Sequence, residues 1–284
     1  MKNLLIILLA CLITAVQSCG KEESDTRTTQ NPSDSTGKLV KLSQVHVPDS
    51  FEYFVRTYQY ESNGKIRSIT TVQRIKDANG IVKTLTGVAR FYRDANGRIE
   101  RIGSDPDTSS SNVLLFYSGA TSTVPSYIKF IRNSASGTKV LDSVACSYST
   151  NGTLIKEVHF IKNSTGVLDS SMYFEYAYDN RGNLKERTQF SDSADNKKFE
   201  KNIAYSFEYD DKINPLYFDE FGYWFLEGVF GYTSSPNNVV KQINNYALFP
   251  SDQVTYSFTY NSEGRPLSSF KTLGPDVITR YFYE

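Results

Sequence analysis

The chain has 284 residues, with 31 Lys and Arg against 31 Asp and Glu, so its formal net charge is zero. That balance excludes the strongly basic field through which nucleic acids and anionic membrane surfaces are bound, and no nucleic-acid partner is expected. Aromatic residues make up 14% of the chain, with 20 Tyr and 18 Phe. With Thr, Val and Ile they suit pleated, half-buried strands and point to an all-β fold.

The N-terminus reads as an address. Lys2 precedes a mostly apolar run from Leu4 to Val16, too short to span a bilayer and of the size of a signal-peptide core. It ends in Val16-Gln17-Ser18-Cys19, which resembles the lipobox of bacterial lipoproteins, although Gln17 stands where that pattern usually has a small or aliphatic residue. The resemblance implies a signal peptide over residues 1–18, cleavage before Cys19, and lipidation of Cys19 by palmitate-type acyl chains. Two or three such chains would anchor stably at ~0.8 kcal/mol per buried methylene. The following Gly20-Lys21-Glu22-Glu23-Ser24-Asp25 resembles the Lys/acidic export signal of Gram-negative surface lipoproteins. The expected location is therefore the outer membrane facing the cell exterior, with the periplasmic face as the alternative.

Residues 19–37 are rich in Ser, Thr, Asp, Asn and Gln. They lack the apolar side chains that offset ordering entropy, so a disordered tether of ~25 Å is expected. Cys11 falls in the signal and Cys19 in the lipobox, which leaves Cys146. No intrachain disulfide framework follows, and Cys146 reads as a small buried hydrophobe.

From residue 38 to 284 the chain repeats itself, and a single β domain is expected there. Tyr58-Gln-Tyr60-Glu-Ser-Asn-Gly64 and Phe91-Tyr92-Arg-Asp-Ala-Asn-Gly97 are two copies. Cys146-Ser-Tyr148-Ser-Thr-Asn-Gly152, Tyr176 to Gly182 and Phe258-Thr-Tyr260-Asn-Ser-Glu-Gly264 continue the series, with a further turn at Asp77-Ala-Asn-Gly80. The unit is a hairpin with its return strand, about 30 residues long. In Asp94-Ala-Asn-Gly97 the Asp side chain suits the first position of a type I turn and Gly the left-handed last one. Such a turn closes a hairpin through a G1 bulge. Glycines 64, 80, 97, 152, 182 and 264 (Gly64, Gly80, Gly97, Gly152, Gly182, Gly264) are thus structural turn residues, Glu61 to Gly64 fitting the template less well than the others.

Between turns the residues alternate. Val254, Tyr256, Phe258 and Tyr260 share one strand face; Thr255, Ser257 and Thr259 share the other. About sixteen strands with short connections predict an up-and-down antiparallel meander, closed or nearly closed into a barrel. The Tyr-x-Tyr-x-x-x-Gly-x-Leu pattern resembles the YD repeats of Rhs-type and teneurin-type proteins. With Tyr209-Asp-Asp-Lys-Ile-Asn-Pro-Leu216 and Asn237-Asn-Val-Val240, residues 38–284 resemble more closely a family of Gram-negative lipoproteins of unknown function with a porin-like fold. That resemblance implies a fold and no functional residue. Neither face of Asn183 to Phe190 is continuously apolar, unlike a lipid-facing strand, so a water-soluble barrel is expected.

Support for catalysis is thin. The two histidines, His46 and His159, read as structural or surface residues, and no spacing of His, Cys and carboxylates suggests a metal. Loop carboxylates at Ser104-Asp-Pro-Asp107 and Asp210-Asp211 could offer oxygens to calcium but lack any EF-hand spacing. No catalytic residue, metal or cofactor is expected, and the protein is expected not to be an enzyme. The hairpin rhythm breaks between Pro215 and Pro236, in a segment holding the one Trp. It reads either as a plug or as a glycan platform, with Tyr223 and Trp224 stacking on sugar rings and Asp219, Glu220 or Glu227 binding hydroxyls. The expected function is a non-catalytic surface binding or scaffold module, a monomer, with a glycan, polymer or envelope or host protein as partner. A structural or adhesive protein that binds through strand edges and loops is the alternative, and a hydrolase hidden in the barrel mouth the lesser one.

Overall fold

The structure, a computed structural model, describes residues 37–77, 79–103, 111–134, 137–162, 166–192, 198–217, 235–246, 251–272 and 277–284. The signal segment, Cys19 and the tether up to residue 36 lie outside the described residues.

Among the described residues there are sixteen elements, all of them strands. The first four are β1 (Leu39–His46), β2 (Phe51–Tyr60), β3 (Ile66–Lys76) and β4 (Val82–Arg93). Then come β5 (Ile99–Gly103), β6 (Ser111–Phe116), β7 (Tyr127–Ser134) and β8 (Gly137–Tyr148). They are followed by β9 (Leu154–Lys162), β10 (Leu168–Tyr178), β11 (Leu184–Asp192) and β12 (Phe199–Ile213). The last are β13 (Asn237–Tyr246), β14 (Asp252–Tyr260), β15 (Pro266–Lys271) and β16 (Val277–Tyr283). Each strand neighbours the next in sequence, and β1 pairs antiparallel with both β2 and β16. The strand order is that of a closed antiparallel barrel, so the meander expected from the hairpin repeat is what the chain forms.

The turns have the expected chemistry. Gly64, Gly80, Gly97, Gly152, Gly182 and Gly264 have φ of 85°, 79°, 74°, 83°, 83° and 75°, values that L side chains adopt only at a cost. At Asp94 one carboxylate oxygen accepts Asn96 N–H at 2.9 Å and Arg98 N–H at 3.0 Å. Asp179 does the same for Arg181 and Asn183, both at 2.9 Å. Glu61 is one methylene too long for this. There Asn63 takes over, accepting Lys65 N–H at 2.9 Å.

A second device repeats with the turns. Five tyrosines among the described residues stand in the later part of, or just past the end of, an even-numbered strand. Each donates its hydroxyl to a backbone carbonyl at or just before the start of the preceding strand. Tyr60 reaches Leu39 O (2.7 Å), Tyr117 Ile99 O (2.8 Å) and Tyr148 Pro125 O (2.8 Å). Tyr209 reaches Leu184 O (2.7 Å) and Tyr283 Pro266 O (2.8 Å). Burial pushes the Tyr60, Tyr148 and Tyr283 phenols well above their ordinary range, so they remain donors. The second Tyr of the repeat is thus a tie between hairpins as well as an apolar filler.

Two compact units lie in this order, one of residues up to Ala89 with Ser257–Glu284, the other Arg90–Tyr256. In the first, Tyr281, Leu42, Arg56 and Thr71 stand opposite one another on a buried face. There the Arg56 guanidinium lies 4.8 Å from the Phe54 ring, so a charge is held inside partly by an aromatic face. In the second, Leu115, Ile128, Val144, His159 and Met172 form one cross-strand row, and Cys146, Glu157 and Phe174 the next. Leu115, Ile128, Val144, Met172 and Phe174 are buried, whereas Cys146, expected to be buried, is only half-buried on this face.

Candidate functional site

Strand period two places Glu157 and His159 of β9 on the buried face of the second unit, with Asp142 of β8 and Tyr176 of β10 diagonal to them. His159 sits between two carboxylates: Nδ1 is 3.6 Å from Asp142 Oδ2 and Nε2 is 3.6 Å from Glu157 Oε2. The Tyr176 hydroxyl donates to Glu157 Oε2 at 2.6 Å, a buried and charge-assisted bond. The Phe174 ring meets His159 edge-on, with centroids 5.2 Å apart. On its other side the Arg187 guanidinium lies 4.2 Å from Phe174 and 5.6 Å from Tyr205. His159 thus faces both carboxylates, and the Arg187 guanidinium packs on the aromatic rings beside them.

Its electrostatics argue against a general base. Burial alone would lower the His159 pKa, but the Asp142 and Glu157 carboxylates on either side outweigh this and push it up to about 9. At neutral pH it is an imidazolium with no lone pair to accept a proton. Cys146 stands directly opposite Glu157. Burial, then the charge of Glu157, pushes its thiol up, so it is not a thiolate nucleophile. What the arrangement does chemically is hold a fixed pattern of charge inside the sheet.

The second constellation lies where the hairpin rhythm breaks. Asn214 N–H donates to Pro236 O at 2.9 Å, so the chain leaves and rejoins the sheet at one neck. Asn214 Nδ2 donates to Ser235 O at 2.9 Å, and Leu216 N–H to Asn214 Oδ1 at 3.0 Å. Asn183, fully buried, ties the neck to the preceding hairpin. Its amide donates to Asp179 Oδ2 (3.1 Å) and Asn237 Oδ1 (3.0 Å), and its oxygen accepts Asn237 N–H (3.1 Å). Ser235 Oγ accepts Leu184 N–H at 3.0 Å and donates to the Tyr209 hydroxyl at 2.9 Å. Asp210, half-buried, accepts the backbone N–H of both Lys212 (3.0 Å) and Asn238 (3.1 Å). The adjacent Asp211 is exposed and pairs with Lys212 at 3.2 Å. Tyr209, Asp210, Asn214, Leu216, Asn237 and Asn238 of the two sequence motifs thus take part in this neck together with Asn183 and Ser235.

The residues between the two sides of the neck, 218–234, lie outside the described residues. So do the candidate ligand-binding residues Asp219, Glu220, Tyr223, Trp224 and Glu227, and Ser104 to Asp107. No group of three or more His, Cys, Asp or Glu among the described residues is placed to hold a metal ion. His46 is a surface residue, bonded through Nδ1 to Asp49 Oδ1 at 2.9 Å. Reading His159 alone missed the inner cluster. The legible signal was Glu157-x-His159, two residues apart on a strand and so on one face.

No protein-family model matches the chain, and no curated protein matches it in sequence. Among solved structures, a porin-like protein from Bacteroides uniformis is 13% identical with a TM-score of 0.57, the similarity covering 87% of this chain and 98% of that one. A porin-like protein from Bacteroides vulgatus is 14% identical with a TM-score of 0.40, covering 88% and 99%. The first likeness shows the fold: this chain is a porin-like, sixteen-stranded antiparallel β barrel.

Proposed function

We propose that the chain is a non-catalytic lipoprotein of the cell envelope, a water-facing barrel anchored through Cys19 that serves as a binding or scaffold module. One observation carries the reading. On the exposed face of the second unit, Ser147, Lys156 and Glu175 stand opposite one another across β8 to β10. Lys129 of β7 stands on the same face beyond the row through Ala145 and Val158, four residues along from Ser147 in the register of β8. A membrane barrel needs an apolar band ~25 Å tall on that face, and Lys129, Lys156 and Glu175 interrupt it with charge. Such a barrel needs another means of staying at a membrane, and the lipobox-like Val16 to Cys19 supplies one. The internal pairing of Asp142, Glu157 and His159, with a protonated Cys146, supports binding over catalysis.

The Lys21-Glu22-Glu23 segment after Cys19 favours the cell exterior over the periplasmic face. Labelled palmitate fed to expressing cells is expected to enter the wild-type chain and not Cys19→Ala. Protease added to intact cells is expected to degrade the wild type. Label that persists in Cys19→Ala would sink the anchor, and a lipoprotein that survives shaving would face the periplasm.

A further inference from the structure

The same exposed face carries a feature that neither the hairpin repeat nor the buried cluster requires. Phe116, Tyr127, Ala145, Val158, Tyr173 and Phe190 stand directly opposite one another on β6 to β11. With strands ~4.8 Å apart this is one continuous row ~24 Å long. Its ends are aromatic pairs: Phe116 and Tyr127 with centroids 6.2 Å apart, and Tyr173 and Phe190 stacked at 4.5 Å with planes 13° apart. Its middle, Ala145 and Val158, is a low floor. Phe116 is 41% exposed, and the other five are half-buried. Core packing does not call for large rings on this face.

We infer that this row is a binding platform for a linear polysaccharide laid across the strands. The inference rests on the reading of the chain as a binding module and names its ligand class and place. Pyranose rings present an apolar C–H face and a rim of hydroxyls. They are matched by an aromatic strip with Lys129 on one border and Lys156 and Glu175 on the other. Lys129 lies 5.1 Å from the Phe116 ring and Lys156 4.0 Å from the Tyr173 ring. Lys156 pairs with Glu175 at 3.6 Å, putting a donor and an acceptor side by side at the edge of the strip. The strip is too narrow for a bilayer, whose apolar core is ~30 Å thick. It also lacks the broad apolar centre of a stable protein interface.

The test is affinity electrophoresis of the full chain, in mild detergent, through gels containing starch, mannan, dextran or hyaluronan. The wild type is expected to be retarded by at least one polymer. Tyr173→Ala should weaken that retardation roughly tenfold, the loss of about one stacked ring. Tyr173→Phe keeps the ring and should behave as wild type, with circular dichroism confirming that all variants fold. Trp224→Ala should also remain retarded. Equal retardation of wild type and Tyr173→Ala overturns the row, and loss only in Trp224→Ala moves the site to the 218–234 segment. Absence of retardation by all four polymers overturns the polysaccharide ligand. Capture of an envelope protein by the same chain would then leave the binding-module reading standing without this site.

Discussion

Replacing Glu157 with alanine is expected to destabilise the protein by roughly 3–5 kcal/mol, the range for breaking a buried ion pair by removing one partner. Glu157 is 6% exposed, and its carboxylate receives the Tyr176 hydroxyl as well as facing His159. Its loss removes the acceptor of the Tyr176 hydroxyl and one of the two carboxylates that face the His159 imidazolium, in a place water reaches poorly. Thermal unfolding should report this as a fall in Tm of about 2–4 °C per kcal/mol. A Tm within 2 °C of wild type, roughly a 1 kcal/mol change or less, would show that the cluster is not a unit.

The same cluster gives the wild type an alkaline limit. His159 is raised on folding from 6.5 to about 9. A group whose pKa rises on folding stabilises fully below its unfolded pKa and loses that contribution as pH climbs through its folded one. Stability should therefore decline between pH 6.5 and 9, by up to about 3 kcal/mol. In Glu157→Ala the decline should be shallower, because one of the two carboxylates that raise His159 is gone. Urea midpoints measured at pH 6 and pH 9.5 for both chains would check it, and parallel declines would contradict it.

The second large effect is expected at the neck. Asn183→Ala removes the side chain that receives Asn237 N–H and donates to Asn237 and Asp179. A buried N–H left without an acceptor costs about 1–3 kcal/mol, and the lost amide bonds add to it, so roughly 2–4 kcal/mol is expected. Asn183→Asp should be no better, since it sets a second carboxylate against Asp179. Thermal unfolding of both variants checks this. If either melts within 1 °C of wild type, Asn183 does not hold the neck.

The two halves of that contrast were unequally legible. The turns were readable because their chemistry is local: Asp94 and Asp179 each bond backbone groups within four residues, and Gly97 and Gly182 take a φ that L residues avoid. The poorer fit at Glu61 was readable for the same reason. Strand alternation then ordered the meander, and short connections left neighbours no choice but to pair. The tyrosine ties were hidden because Tyr60 to Leu39 or Tyr209 to Leu184 spans 21 or 25 residues, a distance only register can bring to contact. The His159 cluster was hidden likewise. It draws on three strands, and a histidine read one at a time has no partners. The neck was visible only as an unusual run of Asn and Asp, residue types that mark loops in general and gave no hint that Asn183 would be fully buried.

The central claim is a water-facing barrel that depends on Cys19 for its membrane. It is tested most directly by fractionating cells that express wild type or Cys19→Ala and washing the membranes with carbonate. The wild type is expected in the membrane pellet. Cys19→Ala is expected in the soluble fraction, β-rich by circular dichroism and monomeric without detergent. A Cys19→Ala chain that stays in the washed pellet, or needs detergent to remain folded, would mean that the strands themselves meet lipid, and the claim would be wrong.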